Sequence, residues 1–593
     1  MKRILITVFF AAIYIITNAQ DDLQLAMTYF KSHDYDKAAV LFKKVYKEKK
    51  STFYFDYYID CLVNLKDYKT AEKEIKREIK KNSNNLIFYI DLGYIYEIQG
   101  DINEADKQFK FVIKNLPQNI VMINNISNTF IKRGKIKYAE KTLLKGSEWF
   151  PDSFLYSFIV VYNYMRNYEK LVNAYLDYLK KDNTQLKMIE TNISNYMKND
   201  VNNEFSDILE QTIIQRIQKD NDDIFYELLI WFYIQKDNFP KALTFAKSID
   251  FRNHENGNRI YKLGNSAYNA EDYNTAKDAF EYLLTKGRMT TYYEYSKKMI
   301  LKIMYNQVKD GENNLKFEEV EKSYLDFINE FGLNIKTVDI ILNLADLEAF
   351  YLDSTEKAIE LIEKSLAVKG LDKDLKSKLM LKQGDIYVAN NDLWKSILVY
   401  AKIEEEFPNN KISDEAKFKK AKSYFYVGMI EHAQREWDIL KGSPAKLIAN
   451  DAIYWTTFVD EFSTDSTHSI LKSFARADLA YYQRKFDKSI LICDSIISQK
   501  AASNAKPAIL YLKSQNYIAK GEYEKAAENL EIIANQYGFA MWSDKAIFEL
   551  ADLYETKLDN KEKAKSYFKK LLFEYKGSVF SDMAKERFLN LTE

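Results

Sequence analysis

Residues 89–117 read YIDLGYIYEIQGDINEADKQFKFVIKNLP, and the spacing within this stretch decides the fold. Tyr89, Leu92, Gly93 and Tyr96 fall on one face of a helix, and Ala105, Phe109 and Val112 on one face of a second. Gly100-Asp101 turns the chain between them, because glycine can leave a helix in the left-handed conformation and aspartate can cap the next one. Pro117 ends the second helix. Two antiparallel helices crossing at a shallow angle must approach closely at a few points. Gly93 and Ala105 are small where the backbones meet, and Tyr96 and Phe109 fill the space beside that crossing.

The phrase recurs. Ala38, Ala71, Ala105 and Ala139 follow one another at 33, 34 and 34 residues, and Pro117 and Pro151 are also 34 apart. Downstream, Ala242 and Ala276 are 34 apart, with Gly264 on the first helix of the second copy. Gly384, Tyr387 and Pro408 mark another copy, with Ser396 in the alanine slot. Later steps lengthen: Ser396 to Ala433 is 37 and Ala526 to Ala564 is 38, which longer helices or loops absorb. A lone pair of this kind cannot bury its apolar face, so the pairs must stack. The predicted class is all-α.

Aromatic, Leu-Gly, Tyr, then Ala, Phe and Pro at these intervals resemble the tetratricopeptide repeat, with Tyr89 where tryptophan is usual. The resemblance implies a right-handed α-solenoid of stacked antiparallel helix pairs, whose first helices line a concave groove that takes an extended peptide or a partner helix. The end of the chain, Phe573-Glu574-Tyr575-Lys576-Gly577-Ser578 followed by Ala584 and Arg587-Phe588, loosely resembles repeats of exported bacterial proteins of outer-membrane β-barrel assembly and of the Tol-Pal system.

A basic start, Lys2-Arg3, an apolar run from Ile4 to Ile16, and small residues Thr17 and Ala19 have the anatomy of a secretory signal. The expected organisation is therefore a signal peptide over 1–19 and a repeat array over 20–180. A degenerate helical segment follows over 181–222, a repeat pair over 223–287 and degenerate repeats over 288–340. An array over 341–440, a hinge or irregular segment over 441–472, and a C-terminal array with a capping helix over 473–593 complete the chain. Ser578 is the expected cap of that last helix. The mature protein is expected in the periplasm or on the periplasmic face of the outer membrane, with no integral span after cleavage.

Lys+Arg and Asp+Glu both number 86, so there is no basic excess of the kind nucleic-acid binders carry. Only 16 Gly and 6 Pro are present, too few turn formers for a strand-rich fold. Cys61 and Cys493 read as buried free thiols. His33, His254, His432 and His468 have no ligand-spaced neighbours, and no phosphate loop or nucleophile elbow occurs. No cofactor, no metal and no catalytic residue is expected.

The expected function is a non-enzymatic interaction scaffold of the cell envelope. A structural subunit of an outer-membrane assembly, secretion or cell-wall complex is the alternative, and an enzyme subunit with a site in the degenerate middle a remote one. Candidate partner-binding residues are Tyr94, Glu97, Asn124, Asn128 and Lys132, which sit off the small-residue slots. The same positions would serve an ordinary solvent-facing surface. The family's carboxylate clamp is not expected, because the next first helix offers Ser153 and Ser157 and no basic residue.

Overall fold

The computed structural model describes residues 22–592 apart from 310–315, 409–410, 444, 464–467, 500–503, 539 and 541. The expected signal peptide lies outside the described residues, as does most of the polar run in the expected hinge. Every regular element among the described residues is helical, and successive helices pack as antiparallel hairpins that stack on one another. The fold is an α-solenoid. No helix among the described residues is long and apolar enough to cross a membrane. The chain divides into two compact units, Met1–Leu263 and Gly264–Glu593, with the division inside the helix Asn258–Asn269.

In the first unit the pairs include Thr52–Asn64 with Tyr68–Lys81, Leu86–Ile98 with Ile102–Lys114, and Ile120–Lys132 with Ile136–Trp149. The stretch 181–222 forms the helices Leu186–Met197 and Glu204–Asp220. In the second unit, Ile341–Phe350, Lys373–Ala389, Lys411–Val427, Ser469–Tyr482, Lys506–Ala519 and Ser543–Thr556 are first helices, each followed by its partner. Within the stretch 441–472, residues Lys446–Phe462 form a helix of nearly five turns.

The small-residue crossing is where the sequence places it. Ala38, Ala71, Ala105, Ala139, Ala242, Ala276, Ala433, Ala526 and Ala564 are completely buried. A Cβ on Gly93 would stand 2.5 Å from Cε1 of Phe109, and one on Gly264 would stand 3.1 Å from the Phe280 ring. One on Gly384 would collide with the Tyr400 ring, and Tyr387 on the same helix is buried. Where serine replaces alanine it finds a partner: the Ser396 and Ser423 hydroxyls lie 3.0 Å apart, joining the second helix of one pair to the first helix of the next. Pro117, Pro151 and Pro408 all lie in the connections after second helices.

One turn joins the two helices of most pairs. Asp101 N–H donates to the Tyr96 carbonyl at 2.9 Å, Gly100 is left-handed at φ 91°, and the Asp101 carboxylate accepts from Glu104 N–H at 3.1 Å. This is a helix stop followed at once by a helix start. The backbone bond recurs from Asp67 to Leu62, Asp272 to Ala267, Lys485 to Ala480 and Glu522 to Tyr517. The left-handed position is glycine at Gly100, Gly134, Gly428 and Gly521, but it is Lys66, Glu271, Asn391 and Arg484 elsewhere. A non-glycine residue there costs about 1–2 kcal/mol, so tertiary packing imposes the turn.

Cys61 and Cys493 are buried free thiols, one in each unit, and burial pushes both up to about 12. The last helix, Ser581–Asn590, starts later than the sequence suggests. Its N-cap position is Phe580, and the Ser578 hydroxyl is committed elsewhere, donating to Asp544 Oδ2 at 2.8 Å and accepting from Phe580 N–H at 3.2 Å.

Replacing Gly93 with valine should force the Phe109 ring off its seat and cost about 1–3 kcal/mol as overpacking. Gly577→Ala, where a Cβ meets nothing within 4 Å, should change stability little. Thermal unfolding of the two full-length variants beside the parent checks the contrast.

Candidate functional site

The inner wall of a helix-pair stack is built from first helices, and in the first unit three of them bring charge together. Asp56 and Asp60 lie one turn apart on Thr52–Asn64, Asp91 lies on Leu86–Ile98, Lys132 closes Ile120–Lys132, and Arg133 follows it. The Arg133 side chain is 5% exposed and the Asp91 side chain 1%. The guanidinium donates from Nε to Asp91 Oδ1 at 2.8 Å and from Nη2 to Asp56 Oδ1 at 2.7 Å, and it pairs with Asp60 through Nη1. Its carbon stands 5.0 Å from the centre of the Tyr94 ring, a cation–π contact. Lys132 Nζ reaches Asp60 Oδ2 at 2.8 Å and also pairs with Asp56. Residues of the third pair thus touch residues two pairs earlier, so the wall is tightly curved here.

Two cations face three carboxylates. Burial is the largest influence on Asp91 and, with Asp56 and Asp60 beside it, outweighs Arg133 and lifts the carboxyl to about 6. Burial would lower Lys132, but Asp60 and Asp56 outweigh it and hold its ammonium above the usual value. The wall keeps a negative balance at neutral pH. On the same helices Phe53 and Val121 are exposed, so apolar side chains accompany the carboxylates.

The five candidate residues are not equivalent. Lys132 is bound to Asp56 and Asp60, and Tyr94 lies under Arg133. Glu97 pairs with Lys135 in the turn of the next pair. Asn124 Oδ1 accepts from the Ser157 hydroxyl at 2.6 Å. Asn128 is exposed. Sequence reasoning missed Asp56, Asp60, Asp91 and Arg133. The signal available was a pair of aspartates one turn apart within an otherwise apolar and aromatic helix.

The second unit repeats an aspartate–lysine pair along its first helices, each aspartate also taking a tyrosine hydroxyl. Asp346 accepts from Lys382 Nζ at 2.6 Å and from the Tyr305 hydroxyl at 2.5 Å. Asp385 accepts from Lys419 at 2.9 Å and from the Tyr400 hydroxyl at 2.7 Å. Asp478 accepts from the Tyr426 hydroxyl at 3.0 Å and pairs with Lys422. Burial would raise Asp346, but Lys382 and Tyr305 outweigh it and hold the carboxyl below the usual range. Burial lowers the Lys422 ammonium against the pull of Asp478. These groups are matched in charge and act as rungs between neighbouring repeats. Among the described residues no group of three or more His, Cys, Asp or Glu side chains is placed to hold a metal ion.

Comparison with known proteins gives one sequence match. The tetratricopeptide-repeat profile matches residues 544–572, the hairpin of Ser543–Thr556 and Lys561–Glu574. No curated protein matches the chain. Solved structures similar to it include a Naa15/Naa10 complex bound to HypK-THB, at 12% identity over 92% of this chain and 99% of that one, with a TM-score of 0.24. A tetratricopeptide repeat protein from Parabacteroides merdae is 14% identical over 51% of this chain and 99% of its own, with a TM-score of 0.22. The APC/C hetero-tetramer Cut9-Hcn1 is 10% identical over 98% of both chains, with a TM-score of 0.23.

Removing the Arg133 guanidinium leaves the buried Asp91 carboxylate without a cation, so Arg133→Met should cost about 3–5 kcal/mol. A second expectation follows from Asp91. Its folded carboxyl titrates above the unfolded value, so its contribution to stability grows as pH falls from 7 towards 5. Asp91→Asn lacks that contribution. The stability difference between parent and variant should shift in the parent's favour over that window, by no more than about 2–3 kcal/mol. Denaturation of both proteins at pH 7 and pH 5 checks the sign.

Proposed function

We propose that the protein is a non-catalytic interaction scaffold that holds an extended peptide or a partner helix against its first-helix walls, in the envelope of the cell that exports it. The observation that carries this reading is the composition of the wall in the first unit. Buried charged groups are fixed by one another and by the half-buried Asp56, while Asn128, Phe53 and Val121 remain exposed on the same run of helices. A rigid wall offering carboxylate, amide and apolar side chains suits an amphipathic segment, with the polar groups setting register and the apolar ones adding affinity. The repeat match at residues 544–572 supports a protein partner, since stacked repeats of this kind present extended binding surfaces.

The envelope setting rests on the opening of the sequence, Lys2-Arg3 with the apolar run that ends at Ile16. A structural role in an outer-membrane assembly, secretion or cell-wall complex differs from this reading only in what the partner is.

A photo-crosslinking residue placed at Asn128 or Phe53 in intact cells should capture a protein partner, and one placed at Lys73, exposed on a second helix, should not. With the probe at Phe53, alanine at Tyr94, Glu97, Asn124, Asn128 and Lys132 together should abolish the capture. Adducts indifferent to position, or to those substitutions, would contradict a wall-bound partner. The mature protein should begin at Gln20 when sequenced from its N-terminus.

A further inference from the structure

Charge balances over the chain as a whole, at 86 cations and 86 acids, but not along its second helices. Tyr68–Lys81 in the first unit carries six Lys and Arg against three Asp and Glu. The next three second helices, Ile102–Lys114, Ile136–Trp149 and Tyr168–Lys181, carry three cations and two acids each.

Tyr68–Lys81 also sorts its charges by side. Glu74 and Glu78 are buried against the neighbouring second helix Tyr35–Lys49, where Lys43 Nζ donates to Glu74 Oε1 at 2.8 Å and the Tyr46 hydroxyl to Glu78 Oε2 at 2.8 Å. Glu72 is half-buried and holds Lys76 at 2.6 Å. The exposed charged residues of the helix are therefore six cations and no acid. Lys69, Lys73, Lys76 and Lys80, at steps of four, three and four, form one stripe down the side opposite the buried glutamates. Lys69, Lys73, Lys80 and, on the neighbouring helix, the exposed Lys47 have no carboxylate partner among the described residues.

The stripe does nothing for the helix that carries it. Lys69 stands in the first turn, where the dipole disfavours a cation. Lys69 with Lys73, Lys73 with Lys76 and Lys76 with Lys80 are like charges at helical neighbour spacing, which repel. An anionic surface laid against the stripe relieves that repulsion. The form of the anion follows from the side chains. The depression along the stripe, about 510 Å³, is lined by five cations and Glu72, with no ring to stack a base and no aliphatic side chain to seat a peptide. The one guanidinium, Arg77, is drawn to Glu74 at 2.8 Å. What is left is a row of flexible ammoniums about 16 Å long, point charges suited to a diffuse sheet of negative charge and not to a ligand of fixed shape.

We propose that the Lys69–Lys73–Lys76–Lys80 face of the first unit docks on an anionic lipid surface. The face belongs to a second helix, so docking leaves the first-helix wall free for its partner. The lipid surface rests on the envelope setting. An exported protein that did not begin at Gln20 would sink that setting and leave the following assay readable by itself. The chain beginning at Gln20 is sedimented in dilute buffer with vesicles of equal parts phosphatidylglycerol and phosphatidylcholine, and with vesicles of phosphatidylcholine alone. Binding to the anionic vesicles should be stronger by about tenfold or more and should vanish at about 1 M salt, where screening acts within ~3 Å. Lys69→Gln/Lys73→Gln/Lys76→Gln/Lys80→Gln alters exposed side chains only and should weaken that binding by about tenfold or more, since one lysine near an anionic bilayer is worth about fivefold. Lys107→Gln/Lys110→Gln/Lys137→Gln/Lys141→Gln, which removes as many exposed lysines from the next two second helices, should bind as the parent does. Equal binding to the two kinds of vesicle, a first variant that binds like the parent, or equal losses in both variants overturns the proposal. A DNA duplex that holds the parent more tightly, per phosphate, than the anionic vesicles do would assign the face to nucleic acid and overturn it as well. Should the first variant not fold, acylation of the parent decides: anionic vesicles should protect Lys69, Lys73 and Lys80 about fivefold or more relative to Lys107 and Lys137. Uniform protection overturns the lipid face.

Discussion

Everything in this molecule depends on two helices being allowed to touch. Gly93 against the Phe109 ring and Gly384 against the Tyr400 ring are places where not even a Cβ fits. Because each hairpin closes on such a point, its remaining apolar surface is presented as a flat step for the next, and stacking follows. The fully buried alanines of the second helices complete the constraint from the other side. Long-range order thus arises from a local rule applied many times, with each pair answering mainly to its neighbours.

The walls made this way are not neutral surfaces. In the first unit Arg133 is sunk among Asp56, Asp60 and Asp91, and in the second unit Asp346, Asp385 and Asp478 each receive a lysine and a tyrosine hydroxyl. Buried ion pairs add little net stability against a well-packed apolar alternative, but breaking one is costly. Their effect here is on geometry. A guanidinium held by carboxylates from two earlier pairs fixes how far three hairpins rotate against one another. The first-unit network is left with more carboxylate than cation, whereas the second-unit rungs balance.

The fold was legible because its determinants are local in sequence. The alanine spacing, the glycine at the crossing and the Gly100-Asp101 turn all act within one hairpin, and the structure uses each as expected. The wall was only partly legible. Lys132 and Tyr94 were identified from their register, yet their partners lie on other pairs, at distances in sequence that no periodicity encodes. Asp91 looks like any polar residue on a first helix until Arg133 arrives from the next pair. Residues 446–462 were obscured for a related reason: Gly442-Ser443 and the polar run after Phe462 suggest a break, and the helix between them is held by Trp437 and Trp542, outside any local window. Ser578 has a capping residue's chemistry, but Asp544 claims its hydroxyl.

The clustering of indoles in the second unit carries an optical consequence. Trp437, Trp455 and Trp542 are three of the chain's six tryptophans, gathered around one helix with an ammonium against one of the rings. Their emission and their near-ultraviolet circular dichroism depend on the seating of that single element far more than on the state of the remaining hairpins. A shift in emission without loss of helical signal would therefore register a change at that joint, provided the surroundings of Trp149, Trp231 and Trp394 stay as they are.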